Sequence, residues 1–236
     1  MEEKLTGIVL NGVNYGESDK ILSIYTLEKG VVSAKIKGVK KAGAKLKFAS
    51  EPFCFAEFLF SSRLDKKTVI GATLLESFYP IREDIKKYFS GGVVLEFVKH
   101  FTKENIVNED LFFLVVNTLK ELAYDSDKTV YSLVKFLIDA LKVTGYALNL
   151  NGCVGCGENI EGRTYFDYNN GGFYCEECFN GYGREINSST LKELKMIDRG
   201  DSLNYEPTKP LKLLDYYLSN KTEENIASLK ELIKII

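Results

Sequence analysis

Four cysteines in two pairs are the residues best equipped for chemistry in this sequence. Cys153-Val-Gly-Cys156 and Cys175-Glu-Glu-Cys178 are C-x2-C pairs separated by eighteen residues, a spacing within the range of a zinc site. Two residues between paired cysteines let one tight turn aim both sulfurs at one ion, and two such turns supply four thiolates in a tetrahedron. Gly155 and Gly157 give the first turn its freedom in φ. Four cysteines leave no open coordination position, so the metal, Zn2+, is expected to be structural and not catalytic. Two disulfides or a redox C-x-x-C use the same residue types, but a redox site calls for one pair between a strand and a helix.

Lysine offers a second chemistry. Between Lys29 and Ser50 stand seven lysines and no acid. In an extended run Val32, Ala34 and Ile36 share one face while Lys35 and Lys37 share the other. Both ammonium groups are therefore expected to project to solvent. Lys40, Lys41, Lys45 and Lys47 follow in a stretch containing glycine and alanine, where long side chains can reach a phosphate backbone. These six lysines, from Lys35 to Lys47, are the candidate nucleic-acid contacts. The other reading is a solvated edge whose lysines deter sheet pairing.

Signatures of enzymes mostly fail. Gly38-Val-Lys-Lys-Ala-Gly43-Ala44-Lys45 resembles a phosphate loop up to its end, where Gly-Lys-Ser/Thr is required and Ala44-Lys45-Leu46 stands instead. A zinc deaminase needs His-x-Glu and Pro-Cys-x-x-Cys; His100 precedes Phe101 and Thr102, and no proline precedes either pair. With one histidine, Ser-His-Asp and Cys-His mechanisms have little to work with. Cys54, amid Phe53, Phe55 and Phe58, reads as a small buried residue. No catalytic residue is expected.

The elements that must position these groups follow from periodicity. Runs of period two at Leu5 to Leu10, Ile21 to Thr26, Val31 to Val39, Phe53 to Phe60 and Thr68 to Leu75 predict five short strands, with a hairpin loop at Glu28-Lys29-Gly30. Five strands in so short a stretch make a small barrel, of OB type or SH3-like. After Pro80 the period becomes helical, over Arg82 to Lys103, Asn108 to Tyr124 and Lys128 to Thr144. Between the cysteine pairs, Asn169-Asn170-Gly171 has the composition of a hairpin tip, so the insert at about 148–183 reads as a zinc ribbon. Thr190-Leu-Lys-Glu193 has capping-box spacing, and helices are expected at Pro210 to Asn220 and Thr222 to Ile236. The expected fold class is α+β, with a five-stranded barrel over 1–79 and a helical domain carrying the ribbon over 80–236.

A chain of 236 residues with 45% hydrophobic residues can bury a sizeable core. The net charge of −2 divides into +3 up to Tyr79 and −5 beyond it, which suggests different partners for the two parts. No apolar run is long enough to span a bilayer, and the start lacks the pattern of a signal peptide. A cytoplasmic protein is expected, in which clustered thiols bind metal.

Tyr15-Gly16-Glu17-Ser18-Asp19, Thr26-Leu27-Glu28-Lys29-Gly30 and Lys35-Ile36-Lys37-Gly38-Val39-Lys40-Lys41 resemble three stretches of the N-terminal barrel of the bacterial RecO recombination and repair family. Cys153-Val-Gly-Cys156-Gly157 and Gly171-Gly172-Phe-Tyr-Cys175-Glu-Glu-Cys178 resemble its zinc segment. The resemblance covers nearly the whole chain. It implies a mediator that binds single- and double-stranded DNA, anneals complementary strands, and with RecR helps load RecA onto strands coated by single-strand-binding protein (SSB). It also implies nucleoid association, and a helical-domain site for the acidic tail of SSB. Tyr25 is expected either to stack on bases or to pack the barrel. The alternative is an adaptor acting through protein contacts without binding nucleic acid.

Overall fold

The computed structural model describes residues 2–64, 66–125, 127–221 and 225–236. These fall into two compact units, Met1–Tyr124 and Asp125–Ile236.

The first unit opens with a closed barrel of β1 (Glu2–Tyr15), β2 (Asp19–Thr26), β3 (Gly30–Ile36), β4 (Phe55–Arg63) and β5 (Lys66–Glu76), in the order β1-β2-β3-β5-β4. All pairs are antiparallel except β3 with β5, which run parallel over Ala34–Ile36 and Lys67–Val69. That order, with its one parallel seam, is the OB-type barrel and not the SH3-like one. Leu22, Ile24, Val32, Ile36, Phe58 and Phe60 meet inside. Burying each such side chain contributes roughly 1.5–3 kcal/mol.

The strands differ from the expected runs where the backbone departs from strict alternation. β1 continues five residues past Leu10, because a bulge between Val9 and Asn11 shifts its phase. Its first half pairs with β4 and its second half with β2. A bulge bends a strand and raises its twist, so one strand can serve both neighbours of a small barrel. β3 ends at Ile36, and β4 begins only at Phe55 because Phe53 takes a φ of 67°.

Two helices complete this unit. α1 (Ile85–Phe101) is capped by Asp84, whose carboxylate accepts from the Lys86 and Lys87 amides. α2 (Glu109–Lys120) is capped by Asn108 and runs on into a π-helical turn at Glu121–Asp125. The helical period starts near Pro80, yet the compact unit extends to Tyr124, since α2 lies against the barrel. The Tyr25 hydroxyl donates to the Asn108 carbonyl at 3.0 Å, and its ring lies 5.5 Å from that of Phe112.

The second unit is built on α3 (Thr129–Val143), buried around most of its circumference. A four-stranded sheet follows, of β6 (Asn149–Cys153), β7 (Thr164–Asp167), β8 (Gly172–Cys175) and β9 (Arg184–Ile186), in the order β6-β8-β7-β9. β7 and β8 form the expected hairpin. At its tip Asp167 accepts from the Asn169 amide and the Asn170 side chain, both at 2.8 Å, and Gly171 has φ 60°. α4 (Ser188–Arg199), α5 (Thr208–Lys221) and α6 (Ala227–Ile235) close the unit. The capping box at Thr190 does not form. Asn187 caps α4 by accepting from the Ser189 amide at 2.9 Å, while Thr190 and Glu193 are buried within the helix. The expected start of the last helix, Thr222, lies outside the described residues; α6 buries Leu229 and Leu232.

Candidate metal centre and nucleic-acid interface

The four cysteines converge. Cys153 ends β6 and Cys175 ends β8, strands that pair in parallel, and Cys156 and Cys178 lie in the turns that follow them. Their Sγ atoms all lie within 4.8 Å of one another. Bonds of about 2.3 Å to a central zinc would set tetrahedral sulfurs roughly 3.8 Å apart, so the cluster has the size of such a site. Backbone shape matches. A Cβ on Gly155 would stand 2.7 Å from that of Cys178, and Gly157 has φ 80°, so glycine at these positions lets the turns close over the sulfurs.

Charge points the same way. Burial pushes the Cys153 thiol up, but amides of Cys175, Cys156 and Gly155 directed at the sulfur outweigh it and hold it at about 6. Hydrogen bonds with the thiols of Cys175, Cys153 and Cys156 push Cys178 up to about 12. Several thiolates this close repel unless a cation sits among them. Cys54 is separate, buried in the barrel core with its thiol pushed up to about 12 by burial.

The lysines of the first unit divide into two sets. Lys29 and Lys67 both pair with Glu3, Lys20 pairs with Glu51 at 3.3 Å, and Lys35 pairs with Asp19 at 2.8 Å. Lys35 therefore does not extend free into solvent as expected. By contrast Lys37, Lys40, Lys41, Lys45 and Lys47 are exposed and have no acidic partner among the described residues. The segment that carries them is a chain of turns, with the Lys41, Ala44 and Lys47 amides donating to the Gly38, Lys41 and Ala44 carbonyls. Val39 is buried between the lysines, and Leu46 and Phe48 pack against the barrel core. Apolar pegs alternating with lysines hold the cations outward on a fixed backbone.

Tyr25 does not face solvent. It is fully buried, with its hydroxyl pushed up by burial, so it packs the barrel and offers no surface to a base.

The second unit holds a cleft of about 280 Å³ that no sequence motif marks. Arg184, Lys209 and Lys212 line it together with Glu185 and with Ile186, Leu213 and Tyr216, and the Arg184 guanidinium lies 5.7 Å from the centre of the Tyr216 ring. These residues come from β9 and α5, distant in sequence, and the net negative charge beyond Tyr79 conceals them. Three cations against one carboxylate, Glu185, which itself lies 3.9 Å from Arg163, leave the lining net basic beside apolar side chains and suit a ligand that is both acidic and apolar.

Residues 1–78 match the family described as Recombination protein O N terminal, and residues 82–230 match Recombination protein O C terminal. The chain is similar to the DNA repair protein RecO of Acetivibrio thermocellus, 29% identical over 96% of this chain and 94% of that one. It is similar also to the RecO of Caldicellulosiruptor bescii, 31% identical over 82% and 79%, and to that of Bacillus subtilis, 31% identical over 84% and 77%. No helix among the described residues is long and apolar enough to cross a membrane. With a closed barrel followed by helices and a four-cysteine cluster, and with both halves matched, the chain belongs to the RecO family of DNA repair proteins.

Proposed function

We propose that this chain is a recombination mediator that binds single- and double-stranded DNA, anneals complementary strands, and with RecR helps load RecA onto strands coated by SSB. One observation carries the reading: Lys37, Lys40, Lys41, Lys45 and Lys47 stand exposed on one short braced segment without acidic partners among the described residues. Lysines arranged in this way neutralise phosphates irrespective of base sequence, as an annealing protein requires. Lys35 contributes from the adjoining strand while anchored by Asp19.

Zinc held by Cys153, Cys156, Cys175 and Cys178 supports the fold of the second unit and takes no part in strand chemistry. The cleft of Arg184, Lys209 and Lys212, net basic despite Glu185 and lined also by Ile186, Leu213 and Tyr216, is the site we assign to the acidic tail of SSB. The protein then works in the cytoplasm at the nucleoid.

Retention on immobilised single-stranded DNA at low salt, lost as salt rises, together with faster annealing of complementary oligonucleotides, is the expected result. Absence of retention at any salt would overturn the reading in favour of an adaptor acting through protein contacts.

A further inference from the structure

The outer face of the β1–β2 hairpin carries a group of apolar side chains that the barrel core does not use. Along this part of β1, Gly12 turns inward, where a Cβ would stand 2.9 Å from a methyl of Leu22. Val13 and Tyr15 therefore turn outward, by strand alternation. Val13 is the direct partner of Ile21, Tyr15 of Asp19, and Ile21 in turn of Lys35. Val13, Tyr15 and Ile21 are 64%, 51% and 37% exposed, so three large apolar side chains share one patch of sheet facing water. Neighbouring apolar side chains held in water on one face of a sheet are available to a ligand.

The surroundings of the patch identify its occupant. The Lys35 ammonium lies 4.5 Å from the centre of the Tyr15 ring and 2.8 Å from a carboxylate oxygen of Asp19, which sets the ring's place on the sheet. The other Asp19 oxygen accepts from the Gly38 amide at 2.7 Å, and the Lys40 amide donates to the Ser18 carbonyl at 3.0 Å. The apolar patch is thus joined through four backbone and side-chain links to the start of the lysine segment. Asp19 is already neutralised by Lys35, and Glu17, which precedes Ser18 in the hairpin turn, is an exposed acid against three lysines, Lys37, Lys40 and Lys41, of the adjoining segment. A ligand of alternating anionic and flat apolar parts fits this surface, and a single nucleic-acid strand has that composition.

We propose that Tyr15, flanked by Val13 and Ile21, is a stacking platform for unpaired bases that makes the barrel favour single strands over duplexes. The proposal rests on the DNA-binding reading above and adds to it the means of discrimination. In a duplex the bases are already stacked and paired, so only the phosphates remain for the lysines. An unpaired base has a free face, and stacking on an aromatic ring is tolerant of base identity.

The test uses the full chain and three substitutions. Tyr15→Ala should weaken binding to an unstructured oligo-thymidine by roughly tenfold. It should leave affinity for a blunt duplex, affinity for an abasic strand of equal length, and the salt slope unchanged. Tyr15→Phe should retain the parent's affinity. The sequence contains no tryptophan, so Tyr15→Trp introduces a unique fluorophore, which oligo-thymidine should quench and the abasic strand should not. Equal affinity of parent and Tyr15→Ala for the oligonucleotide, an equal loss on strand and duplex, or an unquenched tryptophan would overturn the platform. Should Tyr15→Ala fold poorly, the tryptophan signal decides alone. A parent that binds no nucleic acid at low salt overturns the DNA-binding reading together with the platform, whereas a parent that binds with Tyr15 silent overturns the platform only.

Discussion

Asp19 accepts the Gly38 amide through Oδ1 at 2.7 Å while its Oδ2 holds the Lys35 ammonium at 2.8 Å. One carboxylate thus ties the hairpin turn to the point where β3 gives way to the lysine segment. Lys35 first, then the Gly38 amide, hold its pKa at about 2, below the ordinary 3.8. A depressed carboxylate contributes stability that is present above its unfolded value and lost as pH falls toward its folded one. Asp19→Asn should therefore melt below the parent at pH 7, and the difference should close as pH falls from about 4 to about 2. Melting temperatures of both proteins across that range check this; a difference that persists unchanged at pH 2.5 would remove the carboxylate as its source.

Thr26 and Gly30 form a second local device. The Thr26 hydroxyl accepts from the Lys29 amide at 3.2 Å and donates to the Gly30 carbonyl at 2.8 Å, which closes the hairpin loop. Gly30 has φ 65°, and a Cβ there would stand 2.1 Å from the Ile106 carbonyl oxygen. Gly30→Ala should cost at least about 1–2 kcal/mol from the left-handed backbone alone, and more because backbone must shift. Denaturant titration of the pure variant checks the size. A loss below 0.5 kcal/mol would show that the segment before α2 yields freely.

These two devices show what was legible in the sequence. The Tyr-Gly-Glu-x-Asp and Thr-x-x-x-Gly stretches could be seen as patterns; the Thr26 hydroxyl bonds are local, but Asp19 meets Lys35 and Gly38, and Gly30 meets Ile106, across stretches of chain that the patterns do not span. Strand count and the cysteine pairs were readable because period and spacing are local properties. The length of β1 was not, since a bulge at Leu10 breaks the alternation while the strand continues. Lys35 and Lys37 looked equivalent by alternation, and only the fold places Asp19 against one of them. Tyr25 and Tyr15 likewise could not be ranked as base contacts from sequence; α2 covers the first, while the second, with the Lys35 ammonium 4.5 Å from its ring centre, remains 51% exposed. The cleft of Arg184 and Lys212 was invisible because β9 and α5 contribute to it separately.

The cysteine cluster should contain about one zinc per chain by elemental analysis of protein purified without chelator. Binding free energies of about 10–16 kcal/mol in small zinc peptides indicate how strongly the ribbon depends on it. Cys153→Ser should lower melting temperature and solubility, while the protein that remains folded keeps its DNA affinity. Zinc near zero, or disulfides between these cysteines, would rule out the metal.

The exposed lysines should govern salt dependence. Each single-strand phosphate contact contributes about −0.7 to the slope of log K against log salt. Replacing Lys40 and Lys41 with alanine should flatten the slope by roughly 1.4 if both touch phosphates, and weaken binding to all sequences alike. Stability should change by less than about 0.5 kcal/mol, because both side chains are exposed and have no acidic partner among the described residues. Lys35→Ala should behave otherwise. It removes the partner of Asp19, so it should lower the melting temperature as well as affinity, and an unchanged melting temperature would show the pair to be of no structural consequence.

The cleft of the second unit yields a prediction that separates its ligand from DNA. Arg184, Lys209 and Lys212 outnumber Glu185 in a lining shared with Ile186, Leu213 and Tyr216, a combination that calls for both charge and an apolar group from its ligand. A peptide with the acidic tail of SSB should bind the full chain saturably. Arg184→Ala combined with Lys212→Ala should weaken it about tenfold or more, because charge-assisted hydrogen bonds are worth roughly 1.5–3 kcal/mol each. Leu213→Ala could disturb α5, in which Leu213 is buried, so the apolar requirement is better tested on the peptide by replacing its apolar residue with serine. DNA affinity should be unaffected by the Arg184 and Lys212 pair, and peptide affinity unaffected by the Lys40 and Lys41 pair. Peptide binding that survives loss of Arg184 and Lys212 but falls with Lys40 and Lys41 would move the acidic-tail site to the barrel and leave the cleft without a ligand.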